Sequence, residues 1–229
     1  MRKILIIGTV SIGVILVALF FYDGIENDSA SIDNTGLLVT DFIPSKPMIK
    51  VYKNDSGGVT NIDFVDIVSE NKVQIRSISN DDKEIKVEAL GKTFNFIGNL
   101  MVYEKSGEYF KLIYMDLGVG LLAESYINEQ QEMDLIFLKG PIKEGTEWSN
   151  ELGNNKITDD SVKVETPIGD FEAIEVTHKK RGETSKSYFA RGLGLVKGKG
   201  KNYSFVLSEL DYDVSRIKSV DDLREILQK

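Results

Sequence analysis

No cysteine occurs anywhere in the chain, and that absence removes several chemistries at once. Disulfides, thiolate metal sites, a cysteine nucleophile and a lipid-bearing N-terminal cysteine are all excluded. Histidine is nearly absent too: His178 is the only imidazole available to a serine triad or a metal. Zinc needs several nitrogen or sulfur ligands, so no metal site is expected. Basic residues are outnumbered, 28 against 36 acidic, for a formal charge of -8. Such a field repels phosphate backbones, so nucleic acid is not an expected partner. Only four prolines and one tryptophan, Trp148, occur in 229 residues.

What is present begins with a long apolar run. Arg2 and Lys3 precede residues 4–22, ILIIGTVSIGVILVALFFY, 19 residues without a charge. At ~1.5 Å per residue they form a helix of roughly 28 Å, the thickness of a bilayer core. The exit is bulky and then acidic, Phe20-Phe21-Tyr22-Asp23, unlike the small-residue site of a cleaved signal peptide. The expectation is a retained transmembrane signal anchor at 4–22, with residues 1–3 cytoplasmic and the remainder extracytoplasmic. The alternative is secretion after cleavage. Beyond Lys3 the chain carries 26 basic and 36 acidic residues, a charge of -10. Residues 23–40 are polar and rich in Ser, Asn, Asp and Gly, the composition of a flexible linker, with only the short run Leu37-Leu38-Val39 expected to pack.

From residue 41 the apolar pattern has a period of two, and turn residues recur every eight to twelve positions. That rhythm predicts an antiparallel sheet. Strands are expected at 48–53, 59–68, 73–76, 85–87, 101–104, 109–115, 134–138, 162–165, 171–177, 187–190, 194–197 and 202–210. Hairpin signals lie at Asn54-Asp55-Ser56-Gly57-Gly58, Lys105-Ser106-Gly107-Glu108 and Thr166-Pro167-Ile168-Gly169-Asp170, because Asn, Asp and Gly supply turn geometry cheaply. The tail changes in kind. An N-cap serine at 219 and apolar residues Val220, Leu223, Ile226 and Leu227 predict a short helix over 219–228. The expected fold is therefore mainly β, one large curved antiparallel sheet or open barrel over 41–229, with a short C-terminal helix and one transmembrane helix before it.

The stretch Ala190 to Gly200, ARGLGLVKGKG, invites comparison with a phosphate loop. A dinucleotide fingerprint counted from Gly192 needs glycine at 197, which is lysine, and a P-loop ending at Gly198-Lys199 needs glycine at 193, which is leucine. No nucleotide is expected, and Gly192 and Gly194 read as turn or bulge residues. His178 follows a predicted strand and precedes Lys179-Lys180-Arg181-Gly182, so it reads as a surface histidine; no Gly-x-Ser-x-Gly elbow accompanies it. Asn80-Asp81-Asp82 and Asp159-Asp160 lack the alternating acids of a calcium loop. Glu165, Glu172 and Glu175 lie on neighbouring predicted strands and are the candidates for a two-carboxylate hydrolase. Trp148 reads as a sheet anchor whose ring N–H finds a carbonyl, with ligand stacking as the alternative.

Three segments carry a resemblance: LKGPIKEGTEW at 138–148, VETPIGDFEAIEV at 164–176 and YFARGLGLVK at 188–197. In this order they resemble a family of uncharacterised exported proteins and lipoproteins of the Firmicutes, whose members read L-K-x-P-L-x-x-G-x-x-W, then T-P-A-G-x-F, then Y-x-A-x-G-V-G-x-V-K. The family's lipid-carrying cysteine is missing here, as are the Gly and Trp of its opening segment. The resemblance implies an extracytoplasmic β domain and supplies no reaction, cofactor or catalytic residue. The expected function is a membrane-anchored, non-catalytic binding or scaffolding module of the bacterial envelope, whose partners are the membrane through 4–22 and an envelope protein or apolar ligand. The alternatives are a carrier of lipid or apolar peptide in the concavity of the sheet, and the two-carboxylate cell-wall hydrolase.

Overall fold

The structure is a computed structural model that describes residues 36–80, 87–89, 92–94, 96–117, 133–216 and 226. The anchor expected at 4–22, residues 23–35 of the linker, and all of the 219–228 helix except Ile226 lie outside them. Among the described residues no helix is long and apolar enough to cross a membrane.

The chain enters through a 3-10 turn, Val39–Phe42, and then builds β1 (Met48–Lys53), β2 (Val59–Ser69) and β3 (Lys72–Asn80). A separate small hairpin, β4 (Val87–Ala89) and β5 (Lys92–Phe94), precedes β6 (Phe96–Lys105), β7 (Tyr109–Leu117) and β8 (Leu135–Lys139). The second half is β9 (Glu147–Asn150), β10 (Gly153–Thr166), β11 (Gly169–Lys180), β12 (Glu183–Ala190), β13 (Gly194–Lys199) and β14 (Ser204–Asp211). Twelve strands form one antiparallel sheet in the order β8-β7-β6-β3-β2-β1-β14-β13-β12-β11-β10-β9. Because β14 pairs with β1, spatial order follows chain order around the whole sheet. The architecture is an up-and-down barrel, nearly closed, and among the described strands the ladder is interrupted at a seam between β8 and β9.

Side chains join that seam where no ladder does. The Trp148 indole N–H and the Asn150 amide both donate to the carbonyl of Ile136, at 3.1 and 2.6 Å. Trp148 is buried and belongs to the main core, as its reading as an anchor requires.

The expected hairpins form for the expected reasons. The Asn54 side-chain oxygen accepts from the Ser56 and Gly58 amides at 3.1 and 3.0 Å, so the turn is held by its own asparagine. Arg181 at φ 50° and Gly182 at φ 82° close the β11–β12 hairpin in the left-handed backbone such two-residue turns require. Strand β10 runs 14 residues where the sequence predicts four, since its first half, GNNKITDD, is polar and broken by register shifts after Ile157 and Asp159. An alternating pattern interrupted by bulges loses its period.

One end of the barrel is filled. Val39, Phe42 and Ile43 are almost wholly buried beneath the core. The backbone there is tied to two turns at the same end: Val39 donates to the Gly107 carbonyl at 3.1 Å, and Gly192 donates to the Asp41 carbonyl at 2.7 Å. The packed chain thus includes Val39, inside the span expected to be linker. The outer face of β1–β3 is apolar as well. Ile49, Val51, Ile62, Phe64 and Ile78 form a second cluster with Ile226, so the described residue of the C-terminal segment packs on the sheet from outside.

Candidate functional site

Above the filled floor the barrel interior opens into a cavity of about 460 Å³. A volume in the range of roughly 300 to 1,000 Å³ is what small-molecule sites occupy. Its walls are aromatic and aliphatic. Tyr103 stacks on Phe110 at 4.5 Å and meets Phe137 edge-on, while Tyr52 meets Phe205 edge-on at 5.4 Å. Exposed residues Arg181, Glu183, Thr184 and Lys201 also line it, and they mark its mouth at the end opposite the floor.

The glycine stretch now has its explanation. A methyl group on Gly198 would stand 2.3 Å from the ring of Phe205, and one on Gly200 would stand 2.3 Å from the ring of Tyr203. The glycines let these two rings lie against the end of β13 and the turn after it, where they form part of the cavity wall. Gly194, at φ 73°, accommodates Pro44 in the same way. The segment is wall and turn, with glycine serving aromatic packing.

Two charged groups sit inside this wall. Strand β1 places Met48, Lys50 and Tyr52 inward, and β2 places Asn61 and Asp63 inward, with Lys50 directly opposite Asp63 in the ladder. Lys50 is 3 % exposed. Its ammonium donates to the carbonyl of Leu193 at 2.9 Å and to that of Leu195. The Tyr52 hydroxyl reaches the same Leu195 carbonyl at 2.9 Å. Asp63 accepts from the Asn61 amide, and the Ser77 and Tyr52 hydroxyls stand beside it. Burial drags Lys50 down to about 8, against the opposing pull of Asp63. Burial likewise raises the Asp63 carboxyl above its ordinary range, while Lys50 and the neighbouring polar groups of Ser77, Asn61 and Tyr52 act to hold it down. Tyr52 and Tyr103 are both raised, first by burial and then by the Asp63 charge.

A second polar group lies on the β11–β12 wall, and it corrects the expectation of a surface histidine. His178 is half-buried, lines the cavity, and has both ring nitrogens engaged: Nδ1 lies 2.6 Å from Asn155 Oδ1 and Nε2 lies 3.0 Å from Ser187 Oγ. Asn155 is itself fixed, its amide nitrogen donating to the Trp148 and Gly153 carbonyls at 3.4 and 3.2 Å. Its oxygen must therefore accept from Nδ1–H, which leaves Nε2 to accept the Ser187 hydroxyl proton. Burial lowers the imidazole to about 4, so it is neutral at pH 7. The hydrogen-bond order is that of a serine triad with asparagine in place of aspartate. Ser187, however, lies mid-strand with neighbours paired on both sides, so its amide is spent in the ladder, unlike the free donors an oxyanion hole needs. The arrangement presents a serine oxygen to the cavity as an acceptor.

The remaining candidates lie elsewhere. Glu165 is opposite Asp170 near the β10–β11 turn, Glu172 is exposed, and Glu175 is bound by Lys186 at 2.8 Å and Thr158 at 2.7 Å. Glu175 lies opposite Asp159, several rows of the ladder from Glu165. Neither these three nor Trp148 lines the cavity. Asp159 and Asp160 accept from the backbone amides of Ser161 and Glu144, and among the described residues no cluster of three or more metal-type ligands occurs. The sequence reading missed Lys50, Tyr52 and Asp63 altogether. In MIKVYK both alternating registers are largely apolar, so the pattern does not say which one faces in.

No family model and no curated protein matches the chain. Among solved structures the chain is similar to a protein described as a lipoprotein from Parabacteroides distasonis, at 14 % identity and a TM-score of 0.38, covering 75 % of this chain and 99 % of that one. It is also similar to a protein described as exported, with a YmcC-like fold, from Bacteroides fragilis, at 18 % identity and a TM-score of 0.40, with coverage of 75 % and 99 %.

Proposed function

We propose that this protein is a membrane-anchored, extracytoplasmic, non-catalytic binding module of the bacterial envelope whose ligand is a small apolar or amphipathic molecule held inside the barrel. The observation that carries the reading is the 460 Å³ cavity. Its aromatic walls offer apolar burial, and polar groups, among them Lys50, Asp63 and Ser187, converge on it from three strands, the composition of a binding site. The anchor at 4–22 and the resemblance to exported Firmicute proteins support the location. The carrier reading gains over the scaffold reading because a scaffold needs an outer surface and leaves the cavity without a role. The hydrolase reading loses its candidate acids, none of which reaches the cavity.

The test is native mass spectrometry of the full chain, taken from its own membrane into lipid nanodiscs and released in the gas phase. A reproducible small adduct that disappears in Ser77→Phe, a substitution that fills the cavity from the wall, is the expected result. An unadorned protein mass, together with failure to take up dodecanol or dodecanoate added in solution, would overturn the reading.

A further inference from the structure

The rim of the cavity has a charge opposite to that of the molecule. Lys180, Arg181, Lys201 and Glu183 line the mouth. Glu183 is matched to Lys201 at 3.8 Å, and among the described residues neither Lys180 nor Arg181 has an ion-pair partner. In a chain of formal charge -8, two unmatched cations at the opening of a low-dielectric cavity focus a positive field on whatever enters. The backbone at Arg181 is a second, independent observation. Its φ of 50° makes it the one non-glycine residue with positive φ among those described, at a turn position that asparagine, aspartate and glycine fill with less strain. An arginine standing where the backbone disfavours it, at the mouth of a cavity, points to its side chain rather than its turn.

The inner face of β11 makes the gradient continuous. Val176, His178 and Lys180 alternate inward along one strand, from core, to neutral hydrogen-bonding wall, to charged rim. A ligand following that face is apolar at its inner end and anionic at its outer end.

The geometry points to an anionic amphiphile as the occupant, its carboxylate or phosphate held at the mouth by Lys180 and Arg181 and its apolar part against the rings of Tyr203 and Phe205. This rests on the binding function proposed above and adds the chemical class of the ligand and the residues that select it. The rim alone offers too little apolar contact to hold a free anion tightly, so the tail and the head are required together.

The experiment is a calorimetric titration of the full chain in lipid nanodiscs, with empty nanodiscs as blank, against dodecanoate, dodecyl phosphate, dodecanol, dodecyltrimethylammonium and inorganic phosphate at about 50 mM salt. The two anionic amphiphiles are expected to bind at least tenfold tighter than dodecanol, with the cation weakest and inorganic phosphate undetected. That preference should shrink at high salt, where the rim is screened. Arg181→Asn is the informative variant: asparagine relaxes the turn, so the unfolding midpoint should hold or rise while affinity for dodecanoate falls at least threefold. Lys180→Gln should lower the same affinity without moving that for dodecanol. Dodecanol binding as tightly as dodecanoate would overturn the anionic assignment and leave the cavity reading standing. Failure of every amphiphile to bind would overturn both, and inorganic phosphate binding as tightly as dodecyl phosphate would reduce the rim to a free-anion site.

Discussion

Lys50 carries a charge into a wall made largely of rings, and it is tolerated because two backbone carbonyls and Asp63 compensate it. Removing one partner of such a set leaves the other buried and uncompensated. Lys50→Met and Asp63→Asn should each cost about 2–4 kcal/mol of unfolding free energy, and the double variant less than their sum, as a urea double-mutant cycle would show. A strictly additive result would mean the two groups act separately. His178 gives a pH signature. Its folded value of about 4 lies below the 6.5 of the free side chain. Its contribution to stability is therefore full above pH 6.5 and is lost as pH falls toward 4, by at most about 1.4 kcal/mol per pH unit. Stability measured from pH 4.5 to 6.5 should fall less steeply in His178→Gln than in the unsubstituted protein, and parallel curves would count against a buried neutral imidazole. The inward place of His178 was readable in outline, since Ile174, Val176, His178 and Lys180 share one register of IEVTHKK. The basic run after it suggested solvent, and only the observed length of β11 and the tight Arg181-Gly182 turn carry the alternation through the histidine.

At the scale of elements, the sequence announces strands and hairpins but not how a sheet ends. The asparagine turn at 54–58 and the Thr166–Gly169 turn are legible because their side chains act on their own backbone. The seam is not, because its hydrogen bonds join Trp148 and Asn150 to a carbonyl on another strand, and a lone tryptophan says only that it packs. Trp148→Phe keeps an aromatic ring but deletes one donor and part of the buried indole, and should cost about 2–3 kcal/mol. Its diagnostic readout is hydrogen exchange, accelerated along Leu135–Lys139 more than in the central β1–β14 pair. The glycines divide the same way. A methyl on Gly153, at φ 121°, would lie 2.3 Å from the Lys179 backbone carbonyl, whereas one on Gly198 meets only the Phe205 ring. Gly153→Ala should cost about 2–3 kcal/mol. Gly198→Ala should cost little, because a ring can turn, yet weaken amphiphile binding by swinging Phe205 into the cavity. Equal stability losses in the two would show that the ring at Phe205 is as fixed as the strand.

At the scale of the whole molecule, the barrel has a closed end and an open end, and the same chain direction determines both. The segment arriving from the N-terminal side crosses the floor at Val39–Phe42 before it starts β1. The turns that line the mouth, β11–β12 and β13–β14, fall at the other end of the strands. A period of two predicts a two-faced sheet, but it cannot say that a twelve-strand sheet will wrap until its first and last strands pair, nor that Val39, Phe42 and Ile43 will plug the result. The plug makes the cavity a cup instead of a tunnel, and that difference is testable through one residue. Phe42 is 2 % exposed while its neighbour Leu38 is 52 % exposed, so their substitutions separate floor packing from local chain effects. Phe42→Ala should lower unfolding free energy by about 3–5 kcal/mol, the cost of an aromatic lost from a core, whereas Leu38→Ala should change it by no more than about 0.5 kcal/mol. In urea the midpoint should shift for Phe42→Ala with an unchanged slope. A small effect at Phe42 would mean that the floor is held by the Gly107 and Asp41 backbone bonds instead of by packing, and that the N-terminal segment could leave the barrel without unfolding it.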